Sequence, residues 1–204
     1  MSRYAVTGEE GRYEPGSQGR VLANKPGITD PADMDAVELD LLLRLYEEVL
    51  PEVRDDQMLS AALIMEWHRK WLGNLYRWAG QLRSVDLAKD GFPFANAAQL
   101  PKLLREFESG VLEALTPCRA MSPEQAVRAI AVVHVELVLI HPFREGNGRL
   151  ARFVADVMAS QAGLDHLDYS AWGEKQEKYI AAIHAGMDGN YKPMESLFRR
   201  ASGV

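Results

Sequence analysis

The sequence predicts an all-α fold: a helical bundle carrying one small β-hairpin. Apolar residues recur at helical spacing through most of the chain from residue 30 onward. Proline and capping residues mark where several of those runs begin. The period breaks clearly once, between Trp78 and Asn96, where "LRSVDL" and "FPF" flank "AKDG" as the two arms of a hairpin.

The elements follow in order. Residues 1–29 are rich in Gly, Pro and charge and show no period, so they predict an extended, loosely held arm ahead of a single domain over 30–204. Asp30-Pro31-Ala32-Asp33 supplies an N-cap with proline at the first helical position. Met34, Val37, Leu41 and Leu45 then repeat at helical spacing, predicting a helix over 31–49 that Pro51 closes. "QMLSAALIMEWHRKWL" predicts a second helix up to Gly73, with Leu59, Leu63 and Trp67 on its buried stripe. After the hairpin, Asn96 caps a helix that buries Leu100, Leu103, Leu104, Phe107, Val111 and Leu115. Ser122-Pro123-Glu124-Gln125 is a capping box that opens a helix apolar on nearly every side up to Ile140. Such a helix belongs at the centre. Leu150, Phe153, Val154, Val157 and Met158 mark a helix to Gln161, Ser170 caps another through Tyr179, Ile180 and Ile183, and "YKPMESLFRR" closes the chain with a short one.

At 204 residues, 47% hydrophobic and 25% charged, the chain has the size and composition of one globular domain with a continuous core. It opens on no signal-like apolar stretch, and no segment approaches the roughly 20 apolar residues of a membrane span, which predicts a cytoplasmic protein. Cys118 is the one cysteine, which excludes a disulfide framework and a cysteine-built metal knuckle and predicts a reduced, partly buried thiol. A formal charge of -6 and a pI near 5.4 argue against broad binding to nucleic acid or anionic membrane. A local basic pocket remains compatible with that balance.

Residues 141–152, "HPFREGNGRLAR", carry the strongest chemical signal. A central helix delivers His141 at its C-terminal end, and Pro142 bars the residue before it from continuing the helix. Phe143 plugs the turn into the core. Gly146-Asn147-Gly148 permits the backbone angles of an anion-binding nest as the next helix begins. That helix adds the positive end of its dipole, and Arg149 and Arg152 project from neighbouring positions, so the stretch reads as a polyphosphate site. Glu145 would repel phosphate unless a cation lay between them, which points to Mg²⁺ bridging phosphate oxygens. His141, neutral near pH 7, would take a proton from an incoming hydroxyl. Taken singly, each residue has a plainer reading: His141 as a helix C-cap, Gly-Asn-Gly as an ordinary turn, the arginines as solvated charge. A zinc pair of His141 and Glu145 is disfavoured because Pro142 breaks the helical spacing and no third ligand is near in sequence. The simultaneous fit of base, proline, aromatic, acid, glycines and two arginines in twelve residues favours the phosphate reading.

This stretch resembles the signature of the Fic domain family, His-Pro-Phe-x-Asp/Glu-Gly-Asn-Gly-Arg-x-x-Arg, at every defined position. "WHRKWLGNLYRWAGQLRSVDLAKDGFPF" is similar to the Trp-Ala-Gly segment and flap hairpin that precede the motif in that family, and "GNYKPMESLF" to its usual ending, so the resemblance covers residues 30–198. It implies a helical domain with a hairpin flap and an adenylyl-transfer activity: AMP moved from ATP, the co-substrate, to a Ser, Thr or Tyr hydroxyl of a target protein. On that resemblance His141 is the general base and Glu145 holds Mg²⁺. Gly146, Asn147 and Gly148 form the anion hole, while Arg149 and Arg152 hold the outer phosphates. The flap, Lys89, Asp90, Gly91, Phe92 and Phe94, would add the target's backbone as a strand. A lysine stands where Gly148 does in the kinase-like branch, and an alanine where Gly146 does in the phosphocholine-transferring branch. Both glycines are present here, so AMP transfer leads, with kinase-like phosphoryl transfer, UMP or GMP transfer and a non-catalytic nucleotide-binding regulator as alternatives.

Many such proteins carry an inhibitory helix with Ser/Thr-x-x-x-Glu followed by Gly or Asn. The chain offers only Ser109 with Glu113, followed by Ala114, and Ser170 with Glu174, followed by Lys175. It therefore resembles the toxin-like branch inhibited by a separate small antitoxin, whose toxins modify type II topoisomerases. His68, His134, His166 and His184 show no spacing that makes a site, with His134 read as a buried, hydrogen-bonded residue. Tyr179 fits core packing and purine stacking equally well.

Overall fold

The computed structural model describes residues 9–89, 91–170, 172 and 176–204. Asp90 of the hairpin, residues 1–8 of the arm, and Glu174 and Lys175 of the second candidate inhibitory stretch lie outside the described residues. What is described is mostly helical with one two-stranded antiparallel hairpin, as the sequence predicts. Among the described residues no helix is long and apolar enough to cross a membrane. The chain divides into two compact units.

The first unit takes residues 1–51, 62–104 and 140–147. Its first helix, α1 (Pro31–Val49), starts where the Asp30 carboxylate accepts from the backbone N–H groups of Ala32 at 2.8 Å and Asp33 at 3.2 Å. Val37 and Leu41, expected in the core, are only half-buried. Glu38 takes the buried place because Tyr76 donates its hydroxyl to the Glu38 carboxylate at 2.7 Å and Trp71 donates Nε1 to the Glu38 carbonyl at 2.9 Å. The second helix, α2 (Ala61–Leu72), buries Trp67 as predicted, with Ile64, His68 and Trp71 beside it, while Leu63 is half-buried and the buried Leu59 precedes the helix.

The arm is not loose in its described part. Tyr13 bridges to Leu22, Val21 is buried, and the Lys25 N–H donates to the Leu75 carbonyl at 2.8 Å. Local polarity disguised this docking: one buried valine and a few backbone bonds leave no periodic trace. Strands β1 (Ala88–Lys89) and β2 (Phe92–Pro93) pair Ala88 with Pro93 and Lys89 with Phe92.

The second unit takes residues 52–61, 105–139 and 148–204. Helix α3 (Leu100–Phe107) begins in the first unit and leads into this one through a π-helical turn at Glu108–Leu112 and a last helical turn at Glu113–Leu115. The wider turn carries Leu112 into the core in place of the expected Val111, and Leu103 and Leu115 stay half-buried. Helix α4 (Pro123–Ile140) opens with a reciprocal capping box: the Ser122 N–H donates to Gln125 Oε1 at 2.8 Å and the Gln125 N–H to Ser122 Oγ at 3.3 Å. Val127, Ile130, Ala131, Val133, Val135 and Leu137 of this helix are all buried, so it is enclosed nearly all round.

Helix α5 (Asn147–Gln161) buries Leu150, Phe153, Val154, Val157 and Met158 completely. Each such side chain contributes roughly 1.5–3 kcal/mol. Asp168 accepts the Ser170 N–H at 2.8 Å ahead of helix α6 (Gln176–Gly186), and helix α7 (Lys192–Ser202) ends the fold. Cys118 is fully buried, and burial pushes its thiol up to about 12.

Candidate active site

Helix α4 stops at Ile140, and His141 takes the left-handed conformation, with φ 51°. For a residue with a Cβ this backbone costs on the order of 1–2 kcal/mol, so its surroundings must hold it there. Two contacts do. The Arg83 Nε donates to the His141 carbonyl at 2.7 Å, and the Phe94 ring stacks on the imidazole with centroids 3.6 Å apart and planes 18° from parallel. His141 is buried beneath that ring. The plainer reading holds for the backbone, which ends the helix at His141.

The loop after His141 is fastened residue by residue. Asn147 accepts the Phe143 N–H on Oδ1 at 2.9 Å and donates Nδ2 to the Phe143 carbonyl at 2.7 Å, so its amide closes the loop. Phe143 stacks on His68 at 3.9 Å, the aromatic plug the sequence predicts. Gly146 has φ 83°, and a Cβ there would sit 2.7 Å from Trp71 Cζ3, so both the backbone and the packing demand glycine. The Glu145 carboxylate is half-buried and accepts the Gly146 N–H on Oε1 at 3.0 Å.

Gly148, the second residue of α5, is different. A Cβ there would meet nothing within 4 Å, and its φ is not left-handed, so neither packing nor backbone explains a glycine. Arg149 and Arg152 follow, both half-buried. Arg152 donates Nε to the Gly148 carbonyl at 3.3 Å and lies 5.9 Å from the Tyr169 ring centroid. Tyr169 donates within reach of the Arg152 carbonyl at 3.2 Å and the Asp156 carboxylate at 3.0 Å. Asp156 is itself buried, so the hydroxyl ties the second arginine's turn to a fixed partner. Of the hairpin residues, Lys89 and Phe92 face each other across the two strands, Gly91 has φ 81°, and Phe92 meets Phe94 edge-on at 5.6 Å.

Residues 58–159 match the family model of the Fic/DOC family, half of the chain and all of residues 141–152. The chain belongs to the Fic/DOC family. Protein adenylyltransferase VbhT of Bartonella schoenbuchensis is 30% identical over 181 residues, 88% of this chain and 37% of that protein. The Sinorhizobium fredii protein named probable protein adenylyltransferase y4lH is 27% identical over 200 residues, 98% of this chain and 99% of its own length. Among solved structures, the N-terminal Fic domain of a VirB-translocated effector from Bartonella quintana superposes with a TM-score of 0.72 at 26% identity, covering 88% of this chain and 87% of that one. BepC of Bartonella tribocorum, crystallised with AMPPNP, gives 0.74 at 24% identity over 95% and 96%, a likeness of fold. The chain thus spans about a third of VbhT and nearly all of y4lH.

Three residues of this Fic/DOC chain escaped the sequence reading although they build the site's frame. His68 accepts the Gly80 N–H on Nδ1 at 2.8 Å, which leaves Nε2 protonated to donate to the Glu145 carbonyl at 3.1 Å. Arg83 holds His141. Arg144 donates Nε to the Glu10 carbonyl at 2.8 Å, and the Glu10 carboxylate accepts from Ser84 Oγ at 2.9 Å. The Trp-Ala-Gly resemblance pointed at the segment holding the first two without saying what they do. His134 is buried with Nε2 3.0 Å from the Tyr179 hydroxyl, as expected of a core histidine. Burial holds His134 down at about 3 and Tyr179 up at about 12, and Tyr179 packs on Trp172 rather than standing free.

Proposed function

We propose that this chain is a protein adenylyltransferase that moves AMP from ATP to a hydroxyl side chain of a target protein and releases pyrophosphate. What carries the reading is Gly148: an unforced glycine at the start of a 15-residue helix, followed by Arg149 and Arg152, keeps the helix N-terminus open for phosphate. The names of the relatives, and the AMPPNP in BepC, support the same nucleotide chemistry.

In this reading the Gly146 N–H exchanges the Glu145 carboxylate for the nucleotide and, with the backbone N–H groups of Asn147 and Gly148, receives the charge that builds on the α-phosphate, while Arg149 and Arg152 take the outer phosphates. His141 accepts the proton of the target hydroxyl, whose oxygen bonds to the α-phosphorus as the bond to pyrophosphate breaks. Among the described residues no group of three or more His, Cys, Asp or Glu could hold a metal by itself. A single carboxylate, Glu145, suits Mg²⁺ that completes its shell with phosphate oxygens and water, and when bound that ion neutralises phosphate charge. The hairpin around Lys89–Phe94 lends its strand edge to the target's backbone.

The protein acts in the cytoplasm as the toxin of a pair. Ser109 bonds the Arg105 carbonyl at 2.9 Å, and Glu113 is followed by Ala114, so this stretch does not supply an inhibitory helix. A small antitoxin would supply one in trans, and type II topoisomerase subunits are the target class. Replacing His141 by alanine tests the base: nucleotide binding should persist while transfer falls on the order of 10²–10⁴-fold, and growth arrest on expression should be relieved. Transfer that survives the substitution removes His141 from this role.

A further inference from the structure

We propose that Arg83 is a positioning residue for the transfer reaction, holding the base at His141 and both ends of the hairpin as one piece. The inference rests on the reading of His141 as the base. Its geometry lies wholly within the first unit.

Arg83 is 2% exposed. A guanidinium at that depth is strongly disfavoured unless its donors are met. They are met by backbone carbonyls. Nε donates to His141 at 2.7 Å, Nη1 to Val85 at 2.7 Å, and Nη2 to Ala95 at 2.5 Å with a longer contact to Ile140 at 3.5 Å. The Arg83 backbone N–H adds a bond to the Pro142 carbonyl at 2.9 Å. Ile140, His141 and Pro142 are the helix end, the base and the residue after it. Val85 and Ala95 are the points where the chain enters and leaves the hairpin. One planar fork therefore grips Ile140 and His141 at the base and both feet of the flap, and the Arg83 backbone adds Pro142.

Two features make this more than core packing. His141 sits in a left-handed conformation it would not adopt unaided, and the Arg83 guanidinium meets the carbonyls of both peptide units flanking its Cα, His141 at 2.7 Å and Ile140 at 3.5 Å. The Phe94 ring, next to Ala95, lies on the imidazole, so the distance between hairpin and base is set twice: by the guanidinium at the backbone and by the stack at the side chain. If the hairpin registers a target hydroxyl, Arg83 is what transmits that register to the proton acceptor. A lysine keeps the charge but presents a single donor centre, so it reaches one side of this arrangement and not both.

The test uses the full chain with Arg83→Lys, and Tyr76→Phe as a control that loses a buried hydrogen bond in the same unit, from Tyr76 to Glu38, without touching the loop or hairpin. Initial rates with α-labelled ATP and a bacterial lysate as acceptor pool, Mg²⁺–ATP affinity by calorimetry, and the His141 Cε1–H resonance, assigned by its loss in His141→Ala, are read below both melting temperatures. The expected result for Arg83→Lys is unchanged ATP affinity, a kcat lower on the order of 100-fold, and a His141 resonance that loses its upfield ring-current shift. Tyr76→Phe should melt earlier and change none of the three. An unshifted His141 resonance, or an unchanged kcat in an active protein, overturns the proposal. A wild-type chain that transfers nothing refutes the base reading, while the resonance still decides the placement by Arg83. Should Arg83→Lys not fold, a through-hydrogen-bond coupling between Arg83 Nε and the His141 carbonyl carbon in labelled wild-type protein takes its place, and its absence overturns the proposal.

Discussion

The imidazole of His68 donates from Nε2 to the carbonyl oxygen of Glu145 at 3.1 Å while its Nδ1 accepts the Gly80 N–H at 2.8 Å. A buried side chain with no charge thus fixes the backbone from which the one carboxylate of the motif projects. His68→Phe preserves the stack on Phe143 and strands two half-buried backbone groups, each costing about 1 kcal/mol. Thermal unfolding should show the chain melting earlier by roughly 2–4 °C per kcal/mol lost, and the Mg²⁺ concentration for half-maximal transfer should rise. A stable variant with unaltered Mg²⁺ dependence would detach His68 from Glu145.

The two glycines of the motif should respond in opposite ways. Gly146→Ala forces a Cβ into Trp71 at φ 83° and should destabilise the chain by about 2 kcal/mol or more. Gly148→Ala meets open space in a helix and should stabilise by about 0.5–1 kcal/mol while weakening nucleotide binding. Melting curves with and without ATP separate the cases. If Gly148→Ala binds ATP as well as wild type, the open helix start is not a phosphate seat.

How much of this was legible depends on the range of the interaction. Asp30 and the Ser122–Gln125 box announced α1 and α4 because a cap lies within three residues of what it caps. The motif was legible for the same reason: its groups share twelve residues. The π-helical turn at Glu108–Leu112 was not, since the apolar spacing through Phe107 and Val111 fits an ordinary helix and only packing brings Leu112 inward. Arg83 and His68 were invisible as site residues because their partners lie 58 and 77 residues away. Glu38 gave no signal of burial either, because Trp71 and Tyr76, which hold it, lie 33 and 38 residues away.

The metal role predicts a graded defect. Glu145→Ala should lower transfer at ordinary Mg²⁺ and recover part of it as Mg²⁺ rises, because the phosphates keep most of the ion's ligands. Activity that ignores Mg²⁺ in both proteins would remove the metal from the scheme.

The second unit carries an acid-sensitive group. Burial first, and the Arg152 charge after it, lower His134 from 6.5 to about 3, so the neutral ring is what the folded state accepts. The folded value lies below the unfolded one. The stabilisation is therefore full above pH 6.5 and is lost as pH falls toward 3. Urea unfolding at neutral and mildly acid pH should show the wild type losing more stability than His134→Gln; equal losses would contradict the assignment.

The central claim concerns which phosphorus is attacked. Wild-type and His141→Ala chains, each given ATP labelled at the α- or at the γ-phosphate with Mg²⁺ and a bacterial lysate, decide it on one gel. Adenylyl transfer predicts protein label from α-labelled ATP alone, and only with His141 in place; protein label from γ-labelled ATP alone would contradict it.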